Sequence, residues 1–397
     1  MILPETGWRT DPDLIRLTEA LGAGEGRVRF VGGAVRDALL GLPVSDLDLA
    51  TSLVPEEVST RVKAAGFKAV PTGIAHGTIT AVLPNMTVEA TTLRRDVSTD
   101  GRRATVAFTD DWREDAARRD FTINALSADP LTGEVHDYFG GLDDIQVGLV
   151  RFIGDPLQRI AEDHLRILRF FRFHARFGQG APDPTGLAAC AARANDLMAL
   201  SRERIAQELL KLLAGIEPTP TIALMVTHRI FSAVVPEIDT HSVARLDRLV
   251  TRERRYGGDA VRRLSALLPA DPALADLVGA RLKLSNAQRK RLTLAAEGGE
   301  PGPARPLAHR IGLEGARDRI LLHAADPAAG MAELEDWAVP RFPLTGGELV
   351  KMGLSAGPVV AATMQATERQ WVHEGFPGAD RVREIAEGLV AQALRAR

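Results

Sequence analysis

Two aspartates separated by one residue, Asp46 and Asp48, are suited to binding a divalent cation. The segment Asp46–Thr51 has the composition of a strand, and side chains two positions apart on a strand point to the same face. Hard oxygen ligands spaced in this way suit Mg²⁺ bound to a substrate phosphate. A solvated strand face is the alternative, which is weakened because adjacent like charges repel each other without a cation. Glu89 on a second predicted strand, Met86–Thr92, is either a third carboxylate ligand or an ordinary exposed glutamate.

Two adjacent glycines, Gly32 and Gly33, follow the predicted strand Val28–Val31 and open the predicted helix Ala34–Leu40. Glycine lets a phosphate approach the backbone closely, and a helix N-terminus presents free N–H groups to it. Arg36, one turn into the helix, adds a guanidinium that can bind a phosphate through two hydrogen bonds. Taken alone, the glycine pair more often marks a plain strand-to-helix turn.

A second arginine-rich segment runs from Arg118 through Arg119 and Asp120 to Asn124. Two arginines before an aspartate can bind phosphates and a ribose hydroxyl. The alternative is a surface arginine pair before an N-capped helix, and the segment alone favours that alternative.

A run of charged residues follows in the predicted helical part of the chain. At 100° per residue, Asp163, Arg166, Arg169 and Arg172 share one side of a single helix. The side can bind a polyanion, and an amphipathic helix with internal ion pairs explains the pattern equally well.

The elements that would position these groups change character along the chain. Residues 1 to about 140 alternate short strands and helices, and helical periodicity dominates after about residue 155. The sequence therefore predicts an α+β fold, a mixed α/β head followed by a long helical body. A glycine- and proline-rich stretch over residues 297–306 is the best candidate for a linker within that body.

Composition excludes several classes of protein. No apolar run approaches the roughly 20 residues of a membrane helix, and the start of the chain has no secretory-signal pattern. A lone cysteine, Cys190, excludes an intrachain disulfide framework and a multi-cysteine zinc site, which fits a cytoplasmic protein. The net charge of −3, from 49 basic and 52 acidic residues, argues against binding nucleic acid by bulk charge but allows a local basic strip.

The order and spacing of these motifs resemble those of class II tRNA nucleotidyltransferases, the CCA-adding enzymes, of which bacterial poly(A) polymerases are close relatives. The motifs cover residues 28 to about 177, and the similarity beyond them is diffuse. The resemblance implies a palm-like nucleotidyltransferase head followed by an elongated all-α region. It divides the chain into a catalytic head over 1–140, a helical neck for base recognition over 141–215, a helical body over 216–300 and a tRNA-binding tail over 301–397.

The resemblance also implies roles for individual residues. Asp46 and Asp48 fall on the metal-binding pair, with Mg²⁺ as the cofactor, and Glu89 falls on the third catalytic carboxylate. The positions that correspond to nucleotide contacts are Gly32, Gly33, Arg36, Arg119, Asp120, Asn124, Asp163, Arg166, Arg169 and Arg172.

Of these, Asp163 and Arg166 fall on the pair that reads the incoming base. Cytosine and adenine each place an exocyclic amine beside a ring acceptor, which a carboxylate and a guanidinium can satisfy. Uracil and guanine would turn a carbonyl toward the carboxylate, so the pair would select CTP and ATP without a template.

The implied function is template-independent addition of CCA to tRNA 3′ ends from CTP and ATP, with pyrophosphate release. The partner is tRNA, and neither DNA nor a membrane is expected. A poly(A) polymerase, an enzyme that adds only CC or only A, and a noncatalytic RNA- or nucleotide-binding protein are the alternatives.

Two further basic segments are candidates for supporting roles. Residues 93–108 predict a basic, mobile loop, with a plain surface hairpin as the alternative. Arg289, Lys290 and Arg291 follow a capping box that begins at Ser285, and they either contact RNA phosphates or form a solvated helix face.

Overall fold

A seven-stranded mixed sheet organises the N-terminal part of the protein. The computed structural model describes residues 1–100 and 103–395. The sheet has the strand order β3-β4-β5-β2-β1-β8-β9, in which β2 and β5 run parallel and the other neighbours run antiparallel. A separate two-stranded sheet pairs β6 with β7. The strands are β1 (Val28–Val31), β2 (Leu47–Thr51), β3 (Lys68–Gly73), β4 (Thr78–Val82), β5 (Thr87–Thr92), β6 (Arg94–Asp100), β7 (Arg103–Phe108), β8 (Ser127–Ala128) and β9 (Val135–His136).

Helices make up most of the remaining described structure. They are α1 (Pro12–Ala20), α2 (Gly33–Leu39), α3 (Pro55–Ala64), α4 (Trp112–Ala117), α5 (Gly141–Val147), α6 (Pro156–Glu162), α7 (Arg166–Phe177), α8 (Pro184–Ala192), α9 (Arg202–Leu213), α10 (Thr219–Thr227), α11 (Thr240–Glu253), α12 (Ala260–Leu267), α13 (Pro272–Arg281), α14 (Asn286–Ala295), α15 (Ala304–Ile311), α16 (Leu313–His323), α17 (Pro327–Glu333), α18 (Gly346–Lys351), α19 (Pro358–His373) and α20 (Ala379–Arg395). Short 3₁₀ helices span Ala23–Glu25, Ile74–His76, Thr122–Asn124, Ala194–Ala199 and Ile230–Ala233. Within the described ranges, no helix is both long and apolar enough to cross a membrane.

The chain divides into two compact units, Met1–Val243 and Ala244–Arg397. This arrangement of a sheet-containing head followed by helices confirms the predicted α+β fold. The finer division into head, neck, body and tail remains a prediction. The stretch 297–306 interrupts the helices only as far as residue 303, because α15 begins at Ala304.

The two faces of the seven-stranded sheet have different coverings in the first unit. Leu47 and Leu49 of β2 belong to the main hydrophobic core, together with leucines and valines of α1 and α3. The alternate residue Ala50 packs instead with Val31, Leu93 and Trp112 in a small separate cluster. Because side chains alternate between the two faces of a strand, Asp48 lies on the same thinly covered face as Ala50, opposite the main core.

Buried phenylalanines join α7 to the head. The Phe121 ring lies 4.9 Å from the Phe152 ring and 5.3 Å from the Phe173 ring, measured between centroids. Phe152 and Phe170 stack at 5.5 Å. Phe121, Phe152 and Phe170 are fully buried, so this cluster holds the arginine-rich helix α7 against the segment that contains Asp120.

The described part of the second unit, up to residue 395, contains helices but no strands, and it has two kinds of interior. Trp371 of α19 is buried among leucines and valines of α18 and α20, and its indole Nε1 donates to the Pro377 carbonyl at 2.8 Å. A second region, between α12, α14 and α16, buries charged side chains, which include Arg262 and Asp318.

Candidate active site

Strand pairing places Asp48 and Glu89 side by side. The two residues are direct partners in the parallel ladder of β2 and β5, so their side chains project from the same face of the sheet. Asp46 lies one residue before β2, is exposed, and accepts a hydrogen bond from the Ser45 hydroxyl at 3.0 Å. The predicted strands around these carboxylates are confirmed, except that each begins one residue later, β2 at Leu47 rather than Asp46 and β5 at Thr87 rather than Met86.

The charge on Asp48 is destabilised by burial and by neighbouring carboxylates. Burial raises the pKa of Asp48, the charges of Glu89 and Asp46 raise it further, and Arg119 opposes them. Among the side chains that the structure describes, no three of His, Cys, Asp or Glu are close enough to hold a metal ion together. The structure thus brings two of the three predicted carboxylates into direct register and places the third just outside the strand.

A cavity of about 170 Å³ lies over this face of the sheet. It is lined by both acidic and basic side chains, which are Asp48, Glu89, Asp115, Arg94, Arg118 and Arg119, and by Val31, Leu49, Ala50, Thr78 and Thr91. A site with carboxylates on its floor and arginines on its wall can take a metal-bound polyanion.

Gly32 is required by a close approach between two of the motifs. It precedes α2 with φ of 66°, and a Cβ atom there would lie 2.9 Å from the Arg119 Nη1 atom. Glycine is therefore needed at this position for two reasons. It adopts the left-handed backbone without strain, and it leaves room for the Arg119 side chain. Gly33 is the first residue of α2, so the predicted strand–glycine–helix arrangement is confirmed.

A chain of buried hydrogen bonds connects three of the sequence motifs. The Arg36 guanidinium donates to the Asn124 side-chain oxygen, and the Asn124 amide donates to Asp120 Oδ1 at 2.9 Å. The other oxygen, Asp120 Oδ2, accepts from Arg169 Nε at 2.7 Å and also from Arg169 Nη2. The chain runs from α2 through the 3₁₀ turn of Asn124 to α7, so residues 133 positions apart are held in one arrangement.

Burial and neighbouring charge determine the electrostatics of this chain. Burial alone would raise the pKa of Asp120, but the charge of Arg169 and the hydrogen bonds from Asn124 and Arg169 keep it below its usual range. Burial lowers the pKa of Arg36, although Asp37 beside it supports the cation. The Arg36 guanidinium also lies 4.1 Å from the centroid of the Phe177 ring, a cation–π contact.

The structure contradicts the prediction that Asp163 shares a helix with Arg166, Arg169 and Arg172. The helix α6 ends at Glu162, Asp163 is extended with φ of −151°, and α7 begins at Arg166. The reason is local, since the Asp163 carboxylate accepts from the Leu165 backbone N–H at 3.1 Å and so caps the turn before α7.

Asp163 and Arg166 have separate partners in this structure. Asp163 Oδ2 accepts from Arg204 Nη2 at 2.8 Å, whereas Arg166 Nη1 donates to Glu162 at 2.6 Å. Arg166 also donates to the Arg159 carbonyl at 2.8 Å. The two side chains assigned to base recognition lie near each other in the chain but are not bonded to each other.

Sequence reasoning missed the contribution of α9. Arg172 Nε donates to Glu208 at 2.5 Å, and Glu208 is buried on α9 one turn after Arg204. Arg204 and Glu208 are four residues apart, so they lie on the same side of α9. Arg204 is opposite in charge to Asp163, and Glu208 is opposite in charge to Arg172. This charge complementarity was the available signal.

Asp115 is the other group that the motifs did not reveal. It is buried at 3% exposure, and its Oδ1 accepts from Arg118 Nε at 2.8 Å while its Oδ2 accepts from Arg119 Nη2 at 3.5 Å. Its position three and four residues before the two arginines was the signal, since such residues lie on one side of a helix.

The two supporting segments have defined surroundings. Backbone pairing from Arg94↔Phe108 to Asp100↔Arg103 makes residues 94–108 a hairpin, whereas Gly101 and Arg102 lie outside the described residues. The predicted capping box at Ser285 is present on α14. Arg289 binds Asp276 through two hydrogen bonds of 2.5 and 2.6 Å, and Arg291 binds Asp318 through two of 2.6 and 2.9 Å. Of the three basic residues, Lys290 is the exposed one.

Comparison with known protein families identifies the head and the segment after it. Residues 28–151 match the poly A polymerase head domain, and residues 181–241 match a domain described as the probable RNA and SrmB-binding site of polymerase A. The first match contains Asp46, Asp48 and Glu89 and the first two arginine motifs.

Individual relatives extend the similarity over nearly the whole chain. The human protein named CCA tRNA nucleotidyltransferase 1, mitochondrial, is 35% identical over 91% of this chain and 86% of its own length. A CCA-adding enzyme of Lacticaseibacillus paracasei is 30% identical over 93% of this chain and 94% of its own. The crystal structure of the Bacillus stearothermophilus CCA-adding enzyme in complex with CTP is 26% identical, covers 98% of this chain and 99% of its own, and superposes with a TM-score of 0.77.

These matches agree with the motif order, the mixed sheet of the head and the helices that follow it. The chain belongs to the class II CCA-adding tRNA nucleotidyltransferases, within the superfamily of the poly(A) polymerases.

Proposed function

We propose that this protein adds CCA to the 3′ ends of tRNA from CTP and ATP, without a template, and releases pyrophosphate. The observation that carries the proposal is the direct pairing of Asp48 with Glu89 under a cavity whose wall contains Arg94, Arg118 and Arg119. Carboxylates next to arginines are what the transfer of a nucleotidyl group from a triphosphate needs, since both a cation and a polyanion must be held.

The donor set fits Mg²⁺. Asp46, Asp48 and Glu89 supply only hard oxygen atoms. The pKa of Asp48 is raised by burial and then by the like charges of Glu89 and Asp46, and a bound cation would relieve the repulsion between those charges. Mg²⁺ bound to Asp46 and Asp48 would supply Lewis-acid stabilisation of the charge that develops at the α-phosphate.

The arginines of the site would hold and orient the triphosphate. The hydrogen-bonded chain through Asn124 and Asp120 fixes Arg36 and Arg169. The two side chains therefore lose less conformational entropy when they bind the triphosphate. Arg119 lies against Gly32, and its charge opposes the rise in the pKa of Asp48. We infer that these fixed cations place the α-phosphate in line for attack by the tRNA 3′-hydroxyl.

Asp163 and Arg166 would select the base. Arg204 and Glu162 now hold them, so a cytosine or adenine would have to replace or share those partners. A wrong base would leave a charged group unsatisfied, which costs about 1–3 kcal/mol or more. This amounts to about tenfold to a hundredfold discrimination per failed contact.

The helical region after the head would bind the body of the tRNA. The family match over residues 181–241, described as a probable RNA-binding site, supports this assignment. The predicted tail over 301–397 and a cytoplasmic location remain predictions, and the human relative is named as a mitochondrial protein.

Incubation with tRNA transcripts that lack CCA, lack CA or lack only A tests the function. Each transcript is given CTP, ATP, UTP or GTP separately and then CTP with ATP. Addition of CC from CTP, followed by a single A, supports the proposal. Long A tails would instead identify a poly(A) polymerase, addition of only CC or only A would identify a partial enzyme, and no addition with tight nucleotide binding would identify a binding protein.

A further inference from the structure

Asp115 lines the cavity of the candidate active site together with the arginine pair Arg118 and Arg119. Asp115 belongs to α4, lines the same cavity as Asp48 and Glu89, and is buried at 3% exposure. Three donors surround it. They are Arg118 Nε at 2.8 Å, Arg119 Nη2 at 3.5 Å and the Arg94 backbone N–H at 3.2 Å.

The backbone of the arginine pair is held by a different set of groups. Arg159 Nη2 donates to the Arg118 carbonyl at 2.6 Å and also to the Arg119 carbonyl. Arg166 Nη2 adds a contact of 3.3 Å to the Arg118 carbonyl. Asp115 therefore orients the Arg118 guanidinium and shares that of Arg119 with the Asn124 carbonyl, to which Arg119 Nη1 donates at 3.4 Å. The position of the arginine backbone depends instead on α6 and α7.

The surroundings of Asp115 favour its charged form. Burial would raise the pKa of its carboxyl, but the charges of Arg118 and Arg119 and the hydrogen bonds from Arg118 and Arg94 outweigh burial and lower it. A buried carboxylate with these partners orients cations strongly because charge-assisted hydrogen bonds are short and directional.

We propose that Asp115 is a positioning residue for substrate binding: it aims Arg118 and Arg119 into the cavity, where they bind the triphosphate of the incoming nucleotide. This inference rests on the proposed function. The affinity for the triphosphate then depends on the Asp115 carboxylate, which itself contacts no substrate. Arg94 starts the hairpin of β6 and β7, so the same carboxylate also anchors the base of that hairpin.

The test compares two variants that each remove one negative charge from α4. Asp115→Asn removes the carboxylate that binds the arginine pair. Glu114→Gln is the matched control, because Glu114 accepts from the Thr109 hydroxyl at 2.7 Å and lies 3.9 Å from Arg95, so it contacts the hairpin but neither arginine of the pair. The readouts on the full chain are KM and kcat for CTP with tRNA that lacks CCA, and the inhibition constant of inorganic tripolyphosphate.

We expect Asp115→Asn to raise KM for CTP about tenfold, the effect of one lost charge-assisted hydrogen bond, and to raise the inhibition constant of tripolyphosphate in parallel. kcat should change less than about threefold, because weakened binding of the ground state and the transition state alike appears in KM. Glu114→Gln should leave both constants near those of the unmutated protein.

Two results would overturn the proposal. One is an unchanged KM and tripolyphosphate constant in Asp115→Asn, or a fall in kcat alone, which is the signature of partial unfolding. The other is an equal change in Glu114→Gln, which would assign the effect to the hairpin or to net charge. Failure of the proposed function is recognised separately, because the unmutated protein would then incorporate no CMP and would not be protected by tripolyphosphate against thermal unfolding.

Discussion

The carboxylate of Asp163 is bonded to Arg204, not to Arg166, although Arg166 is three residues away and Arg204 is on another helix. Asp163 Oδ2 accepts from Arg204 Nη2 at 2.8 Å, and Arg166 is engaged by Glu162. Both side chains proposed to read the base are thus oriented by other charged groups before any nucleotide binds. Preorganisation of this kind lowers the entropy lost on binding.

Asp163→Ala should relax nucleotide selection. Without the carboxylate, a uracil or guanine carbonyl no longer faces a negative group, so misincorporation of UMP or GMP relative to CMP should rise about tenfold or more. The measurement is a competition between CTP and UTP on tRNA that lacks CCA. Asp143→Ala, which removes an exposed acid from α5, is the control and should keep the original selectivity. Unchanged selectivity in Asp163→Ala would remove the base-reading assignment.

Asp48→Asn should abolish nucleotide incorporation and yet stabilise the protein at neutral pH. The folded-state pKa of Asp48 is raised by burial first and then by Glu89 and Asp46, so the charged form is unfavourable above that pKa. Asparagine removes this penalty. The gain should be present at pH 7.5 and should disappear as the pH falls below the ordinary value of 3.8, where the unmutated side chain is protonated in both states.

Thermal unfolding in EDTA at pH 7.5 and at lower pH measures this gain. The same scans with Mg²⁺ should raise the midpoint of the unmutated protein more than that of Asp48→Asn, because ligands that bind only the folded state stabilise it. A midpoint difference that does not depend on pH would contradict the electrostatic explanation. An equal response of both proteins to Mg²⁺ would contradict Asp48 as a ligand.

The strands that carry the carboxylates were predictable because period and composition agree in them. The alternation of Asp46, Leu47, Asp48 and Leu49 predicts a strand with one core face, and β2 has that face in the hydrophobic core. The register that places Glu89 beside Asp48 joins strands about 40 residues apart, so strand patterns alone do not determine it. The strand pattern made Glu89 a candidate, the family resemblance implied its role as the third carboxylate, and the sheet topology supplies its neighbour.

The prediction that Asp163 shares a helix with Arg166, Arg169 and Arg172 is wrong, and the reason lies in contacts that helical periodicity does not describe. Four charged residues at spacings of three satisfy the helical pattern, but Asp163 competes for the backbone and caps a turn instead. The partner Arg204 lies 41 residues later, where a local pattern carries no information on the contact. Ion pairs between distant elements are in this sense a property of tertiary packing.

Asn124→Ala should weaken both stability and catalysis. The side chain of Asn124 accepts from Arg36 and donates to Asp120, and all three residues are buried. Alanine leaves a buried cation and a buried carboxylate each with one partner fewer, which should cost about 2 kcal/mol in the free energy of unfolding. kcat/KM for CTP should fall as well, since the position of Arg36 depends on the same bond.

Chemical unfolding and steady-state kinetics measure the two effects of Asn124→Ala. Asn195→Ala, at an exposed position, is the control and should change neither quantity appreciably. A stable Asn124→Ala protein with full activity would show that the hydrogen-bonded chain between α2 and α7 is not needed for either property.

Lys290→Ala and Arg291→Ala should separate RNA binding from stability in the second unit. Arg291 holds Asp318, which is 1% exposed, through two hydrogen bonds, so its removal leaves a buried carboxylate without its main partner and should destabilise the protein by about 3–5 kcal/mol. Lys290 is exposed on the same helix and should be nearly neutral for stability. If Lys290 contacts a phosphate, its removal should weaken tRNA binding and reduce the slope of log affinity against log salt by about 1.

Thermal unfolding and tRNA binding at several salt concentrations distinguish these outcomes for the two variants. Arg291→Lys, which keeps a cation but cannot form the two-point contact, should fall between Arg291→Ala and the unmutated protein in stability. A normal unfolding midpoint in Arg291→Ala, together with a large loss of tRNA affinity, would reverse the assignment and make Arg291 the RNA contact. An unchanged salt slope in Lys290→Ala would remove Lys290 from the RNA-binding surface.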